Sequence, residues 1–201
     1  MLLTSTQNPD LRASWRDAVL AGLAPEGGLY FPITLPSLSE HDVAALRELS
    51  FPDLCFELSK AFLGGEVEHT VLRSICDDAF SFPAPLHRLS STLSVLELFH
   101  GPTCAFKDFG ARFMSRLFRH FWEDETRPLT VLVATSGDTG SAVANAFFDP
   151  IPNSRIRVAV LFPKGKVSLV QEKQMTTLGG NVTAYEVDGT FDDCQRLVKE
   201  A

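Results

Sequence analysis

The sequence predicts an α/β protein in which a helical N-terminal region precedes a doubly wound parallel sheet. Two observations predict this class. From about Ser94 onward, short apolar runs alternate with helical patterns, which is the rhythm of β-α-β units. Before that point the chain carries several helix start signals. A chain of 201 residues that is 45% hydrophobic can also bury a core of the required size.

The N-terminal region is predicted to consist of short helices. Asn8-Pro9 can cap a helix that runs toward Gly22. Paired glycines and a proline within residues 24–32 indicate a loop that leads into a short extended segment. Two further helix starts are marked by a serine followed three residues later by an aspartate: Ser39 with Asp42, and Ser50 with Asp53.

A fourth helix is predicted over residues 67–80, because apolar side chains recur there at helical spacing. The proline-containing stretch 81–85 then interrupts the pattern. We therefore expect two domains, an N-terminal helical region over residues 1–90 and an α/β region over residues 91–201.

The α/β region is predicted to alternate four strands with four helices. The strands cover residues 94–99, 129–135, 155–162 and 181–187, and the helices cover 106–122, 140–148, 167–178 and 191–201. The last helix has no glycine or other stop signal, so the α/β region is expected to be incomplete and the chain to be truncated.

Composition argues against several classes of function. The formal net charge of -7 disfavours binding to nucleic acid or to anionic membranes, and the longest apolar runs are of strand length. With no signal-peptide pattern, a soluble, cytoplasmic protein is expected. The four cysteines contain no C-x-x-C pair, so neither a disulfide framework nor a metal site is predicted.

In a doubly wound fold, ligands bind at the carboxyl ends of the strands. The loop after the first predicted strand delivers Phe106 and Lys107 to the start of a helix. The helix dipole disfavours an ammonium group there, and Phe106 and Phe109 could desolvate it. A neutral lysine amine can form a Schiff base, although position alone favours a solvated surface lysine.

The next two loops could bind anions. The second loop follows a strand and opens a helix, so its amides and hydroxyls can converge on an anion; its residues are Thr135, Ser136, Gly137, Asp138, Thr139 and Gly140. A tight structural turn is the alternative, since both the Walker lysine and the dinucleotide fingerprint are missing. The third loop contains Lys164 and Lys166, which could hold a phosphorylated substrate or form a solvated basic turn.

Three of these segments, in this order, resemble the threonine synthase family. They are LELFHGPTCAFKDFGARFM, ATSGDTGSAVANAF and FPKGKVSLVQEKQM, and they follow GLAPEGGLYFP. The resemblance implies the N-terminal portion of a pyridoxal 5'-phosphate enzyme with the tryptophan synthase β-like architecture (fold type II). The implied reaction converts O-phospho-L-homoserine and water to L-threonine and phosphate.

The resemblance also implies roles for individual residues. Lys107 would carry the cofactor as a Schiff base and later move protons on the substrate, with Phe106 and Asp138 beside the cofactor. The Thr135–Gly140 loop would hold the substrate carboxylate, while contact of Lys164 and Lys166 with the substrate phosphate stays open. Many relatives have asparagine in place of Asp138, and an aspartate would repel a carboxylate unless it is protonated, turned toward a cation or hydrogen-bonded elsewhere.

Two alternatives stay open at this point. The chain could belong to another fold-type II lyase, such as a threonine or serine dehydratase or a phospholyase, or it could be a non-catalytic truncated fragment. The glycine-rich loop for the cofactor phosphate and the partner of the pyridine nitrogen are not found in this sequence. The polypeptide alone is therefore expected to bind the cofactor weakly and to be inactive. The resemblance separately implies a monomer or a homodimer.

Overall fold

The computed structural model describes residues 1–150 and 155–201. These residues cluster into two compact units. The first contains Met1–Ser81 and Arg116–Asp124, and the second contains Phe82–Ser115 and Glu125–Ala201.

The first unit is mostly helical. Its elements are β1 (Leu3–Ser5), α1 (Trp15–Ala21), β2 (Tyr30–Pro32), α2 (Glu40–Leu46), α3 (Phe51–Leu63) and α4 (His69–Ala79). Strands β1 and β2 pair antiparallel, and helices α3 and α4 pack against each other. Phe56, Leu63, Leu72 and Ile75 are buried on these two helices, which is the apolar contact that keeps short helices folded in water.

The helix starts in this unit follow the local capping chemistry. At α2, the Ser39 hydroxyl accepts from the amide of Asp42 while the Asp42 carboxylate accepts from Ser39, so two open amides are satisfied together. Ser50 caps α3 in the predicted way. The prediction of a helix from Asn8-Pro9 was wrong, because α1 begins only at Trp15 with Ser14 as its cap.

The late start of α1 has a clear cause. Leu3 and Ala13 exchange backbone hydrogen bonds of 2.9 and 3.0 Å, which ties the chain after Asn8 to strand β1. The Thr4 hydroxyl also donates to the carbonyl oxygen of Asn8 at 3.1 Å. These non-local bonds occupy backbone groups that a helix would need.

The second unit carries the α/β elements. They are β3 (Leu86–Arg88), β4 (Ser94–Leu96), α5 (Lys107–Trp122), β5 (Leu129–Ala134), α6 (Asp138–Phe147), β6 (Ile156–Pro163), α7 (Leu169–Thr176), β7 (Val182–Val187) and α8 (Phe191–Glu200). From Arg116 onward α5 clusters with the first unit. Helix α6 begins two residues before the predicted Gly140, because Gly137 in a glycine-specific conformation starts the helical turn.

The expectation for the first strand of the parallel sheet was wrong. The chain over 94–99 forms only the three-residue β4, which pairs antiparallel with β3. Both strands of this hairpin are exposed. The apolar run Val95-Leu96 therefore predicted a strand correctly but did not reveal its partner, since pairing is a non-local property.

The remaining three strands form the predicted parallel sheet in the order β5-β6-β7. Val158, Val160 and Phe162 are buried along β6. Helix α6 packs against α7 and β6, whereas α8 returns to β5 and β6 after following β7. Because the three strands are parallel, the loops at their carboxyl ends lie at one edge of the sheet.

Candidate functional site

The Thr135–Gly140 loop joins β5 to α6 and is built around one buried hydroxyl. The Oγ1 atom of Thr135 accepts hydrogen bonds from the amides of Gly137 at 2.9 Å and Gly140 at 2.8 Å. It also donates to the carbonyl oxygen of Gly137 at 3.1 Å. The side chain of Thr135 is only 1% exposed, so its hydroxyl shapes the loop from within.

Both glycines of this loop are required by geometry. Gly137 has a φ of 145°, which L side chains rarely adopt. A Cβ atom there would also lie 2.6 Å from the side chain of Gln171. At Gly140, a Cβ atom would lie 2.3 Å from Cγ2 of Thr135. Glycine is therefore needed at both positions because neighbouring side chains approach closely, and at Gly137 also because of its backbone conformation.

The loop leaves backbone donors open at the start of α6. Among residues 1–150 and 155–201, no acceptor is found for the amides of Ser136, Asp138 or Thr139. All three residues are exposed, and α6 is ten residues long. Open amides at the positive end of a helix favour an anion such as a carboxylate.

Lys107 is the first residue of α5, and its amine faces this loop. The Nζ atom lies 3.9 Å from Oδ2 of Asp138 and 4.4 Å from the centroid of the Phe106 ring. A carboxylate and the face of an aromatic ring both attract a cation. Both neighbours therefore hold the amine at the edge of the loop.

The carboxylate of Asp138 is shared between two partners. Its Oδ2 atom faces Lys107, and its Oδ1 atom accepts a hydrogen bond of 2.5 Å from Nε2 of Gln171. An aspartate can avoid repelling a substrate carboxylate in the three ways named above, and Asp138 shows two of them. It is turned toward a cation, and it is hydrogen-bonded elsewhere.

The loop before Lys107 is held by a buried aspartate. Asp108, 1% exposed, accepts from the Thr103 amide at 2.9 Å and from the Thr103 hydroxyl at 2.6 Å. A Cβ atom on Gly101 would lie 2.4 Å from Asp108 Oδ2. Within the same loop, Cys104 has a φ of 60°. Asp108 thereby fixes the backbone that presents Lys107.

Helix α7 contacts both loops. Besides Gln171 on Asp138, Gln174 donates from Nε2 to the carbonyl oxygen of Thr103 at 3.1 Å. Sequence reasoning missed Asp108, Gln171 and Gln174. The Ser168-x-x-Gln171 spacing does signal a capping box, and the structure contains it, but nothing local signals that the glutamine also reaches another loop.

A mostly apolar cavity of about 680 Å³ lies beside the lysine. Its walls include Phe106, Phe109, Met114, Thr139, Ala142 and Val143, together with Lys107. A volume of this size is typical of small-molecule sites. The cavity adjoins the open helix start, because Thr139 belongs to both.

Lys164 and Lys166 follow β6 and are exposed. Within the described part of the chain, neither amine contacts Asp138, whose carboxylate faces Lys107 and Gln171. Among the same residues, no group of three or more His, Cys, Asp and Glu side chains could hold a metal ion. No described helix has the length and hydropathy needed to cross a membrane.

Comparison with known proteins finds similarity to threonine synthases. Residues 3–80 match the threonine synthase N terminus model. The whole chain is 44% identical over 201 residues to threonine synthase from Escherichia coli, and 98% of it aligns with the Schizosaccharomyces pombe threonine synthase at 41% identity. Along its whole length, the chain is similar to the N-terminal part of threonine synthases.

Solved threonine synthases have the same fold over this region. The crystal structure of the Escherichia coli protein superimposes with a TM-score of 0.90 and 43% identity, and covers 100% of this chain. The pyridoxal-phosphate-bound protein from Brucella melitensis also gives a TM-score of 0.90, at 37% identity. The chain spans 46% of the Escherichia coli threonine synthase sequence and 40% of the Schizosaccharomyces pombe sequence.

Proposed function

We propose that this chain supplies the lysine and the carboxylate-binding loop of a pyridoxal-phosphate-dependent threonine synthase, a lyase of threonine biosynthesis. The reaction converts O-phospho-L-homoserine and water to L-threonine and phosphate. The observation that carries the proposal is the approach of Lys107 to the Thr135–Gly140 loop beside an apolar cavity. Identity of 36–44% to named threonine synthases supports it.

The residues present fit the aldehyde end of the cofactor. Lys107 provides an amine at the wall of the cavity, and the cavity's apolar side chains suit an aromatic ring. The Brucella melitensis relative was solved with pyridoxal phosphate bound. When bound, the cofactor supplies an electron sink for carbanions formed on the substrate.

In this proposal Lys107 holds the cofactor covalently and, once released from it, moves protons at Cα and Cβ of the substrate. The neutral amine forms the covalent bond and accepts a proton from the substrate, and the resulting ammonium returns that proton. Phe106, whose ring is 4.4 Å from the amine, lies beside the cofactor with Asp138. The carboxylate of Asp138 balances the charge when the amine is protonated.

The substrate carboxylate is proposed to bind at the start of α6. Ser136, Asp138 and Thr139 offer amides there, while Thr135, Gly137 and Gly140 give the loop its shape. Lys164 and Lys166 are proposed to contact the phosphate of the substrate, because two exposed lysines at the carboxyl end of β6 attract a dianion.

Three broader expectations from the sequence stay predictions. They are a division into a helical region over 1–90 and a cofactor-binding region over 91–201, a cytoplasmic location, and a monomeric or homodimeric state. A small molecule as the substrate follows from the proposed reaction.

The proposal is tested with the complete gene product that contains this chain. Incubation with phosphohomoserine should release phosphate and threonine in equal amounts, whereas a dehydratase would instead give a keto acid from threonine or serine. Lys107→Ala should abolish turnover, and Lys107→Arg, which keeps the charge, should not restore it. Phosphate release that survives in Lys107→Ala, or a keto acid as the main product, would overturn the proposal.

A further inference from the structure

Asp138 occupies an unusual position for an anion-binding loop. Its own amide and that of Thr139 are among the open amides that favour an anion. An aspartate at the start of a helix readily folds back onto such amides. A carboxylate that did so would compete directly with a substrate carboxylate for the same donors.

The structure contains a device that prevents this. Gln171 donates from Nε2 to Oδ1 of Asp138 at 2.5 Å, which leaves Oδ2 facing the amine of Lys107 at 3.9 Å. The carboxylate is thereby held between a neutral donor and a cation. Among the described residues, none of the open amides donates a hydrogen bond to the carboxylate of Asp138.

Gln171 is itself fixed from three sides. Its Oε1 atom accepts from the Ser168 amide at 3.2 Å and from the Ser168 hydroxyl at 2.9 Å. Its carbonyl oxygen accepts from the Ser141 hydroxyl at 3.4 Å, and its side chain lies so close to Gly137 that no Cβ would fit there. With Oε1 engaged in the cap, the amide nitrogen of the side chain can only point toward Asp138.

We infer that Gln171 is a positioning residue, which holds the carboxylate of Asp138 against Lys107 and so keeps the open amides of the Thr135–Gly140 loop available to the substrate carboxylate. The inference rests on the proposed function for its kinetic consequence. The hydrogen bond itself does not depend on that function.

The decisive variant is Gln171→Glu. A glutamate at this place in a capping box accepts from Ser168 as well as a glutamine does, so the start of α7 is preserved. It cannot donate to Asp138 and instead repels it. The displaced carboxylate then competes for the amides, and KM for phosphohomoserine should rise about tenfold, equivalent to about 1.4 kcal/mol. Because a saturating substrate displaces the competing side chain, kcat should change less.

Two companion variants separate positioning from fold stability. The double variant Asp138→Asn with Gln171→Glu restores the hydrogen bond with donor and acceptor exchanged, and keeps a single carboxylate in the pair. Measured against Asp138→Asn alone, which already removes the charge beside Lys107, the added Gln171→Glu change should raise KM by no more than about threefold, a difference that a double-mutant cycle reports as coupling. Ser168→Ala removes the hydroxyl from the cap of α7, while the backbone amide of residue 168 still donates to Oε1 of Gln171 and keeps its Nε2 atom directed at Asp138. It should lower stability with little change in KM.

A readout without turnover distinguishes failure of this inference from failure of the proposed function. In the unliganded protein, the NMR signal of the Nε2 proton of Gln171 that faces Asp138 should shift strongly in Asp138→Asn and less in Ser168→Ala, which changes only the contact at Oε1. If that shift is absent, the inference fails whatever the activity. If the shift is present but phosphohomoserine is not turned over, only the proposed function fails. Equal KM effects in Gln171→Glu and Ser168→Ala, or a rise in KM from Gln171→Glu that is as large beside Asp138→Asn as in the unmodified protein, would also overturn the inference.

Discussion

Replacing Asp108 by asparagine should destabilise the second unit more than any other single-atom change near Lys107. The carboxylate accepts at both oxygens, from the Thr103 amide and hydroxyl, and the side chain is 1% exposed. Asparagine keeps one acceptor and turns an NH₂ group toward the second donor. A hydrogen bond to a charged group contributes about 1.5–3 kcal/mol, and a buried unsatisfied donor costs about 1–3 kcal/mol.

The smaller desolvation cost of a neutral amide offsets part of this loss. We expect Asp108→Asn to lower the free energy of unfolding by about 2–3 kcal/mol. Thr103→Ser keeps both donors and loses one methyl group, so it should cost about 1 kcal/mol at most. This serine variant is the matched control for the loop.

Urea unfolding followed by far-UV circular dichroism is the suitable assay. Both tryptophans, Trp15 and Trp122, lie in the first unit, so tryptophan fluorescence would not report on this loop. A shift of the midpoint in Asp108→Asn without a change in slope would indicate a loss of stability alone. If Asp108→Asn were as stable as Thr103→Ser, the carboxylate would not hold the loop that presents Lys107.

Two further predictions concern the helices. Gly140→Ala should lower the free energy of unfolding by about 1–3 kcal/mol through overpacking, because its Cβ atom would lie 2.3 Å from Cγ2 of Thr135. Gly110→Ala is the control and should stabilise α5, since no atom lies within 4 Å of its Cβ position. Equal changes of the two variants in urea titrations would contradict the packing argument. Hydrogen bonds from Ser50 and, second, from Arg73 hold the pKa of Asp53 below its usual 3.8, so folding is favoured by the ionised form. The unmodified protein should be more stable than an Asp53→Asn variant above pH 3.8, and this difference should vanish as the pH falls through the lowered pKa of the folded state. A difference in unfolding midpoints that does not depend on pH would refute this.

Local patterns predicted the elements of the α/β region well. The strands and helices from α5 to α8 begin and end within a few residues of their predicted bounds, because α5 and α8 have a strong apolar period and α7 and α8 begin with capping boxes. The capping boxes at Ser39 and Ser168 show how completely a four-residue pattern can specify a helix start.

The failures occurred where distant residues decide the local structure. After Asn8, the backbone of Ala13 forms hydrogen bonds with Leu3 instead of continuing a helix. The apolar run at Val95 pairs antiparallel with strand β3. At the candidate site, Lys107 and the Thr135–Gly140 loop were predicted as separate features. Their approach is set by Asp108, Gln171 and Gln174, whose partners lie 5, 33 and 71 residues away, a relation that no local pattern encodes.

The most direct test of the proposed role of Lys107 is borohydride reduction after incubation with pyridoxal phosphate, followed by peptide mass mapping. The complete gene product should carry the pyridoxyl group on Lys107, with only weak labelling of the 201-residue chain by itself. A pyridoxyl group on another lysine in both proteins, with Lys107 unmodified, would contradict the account.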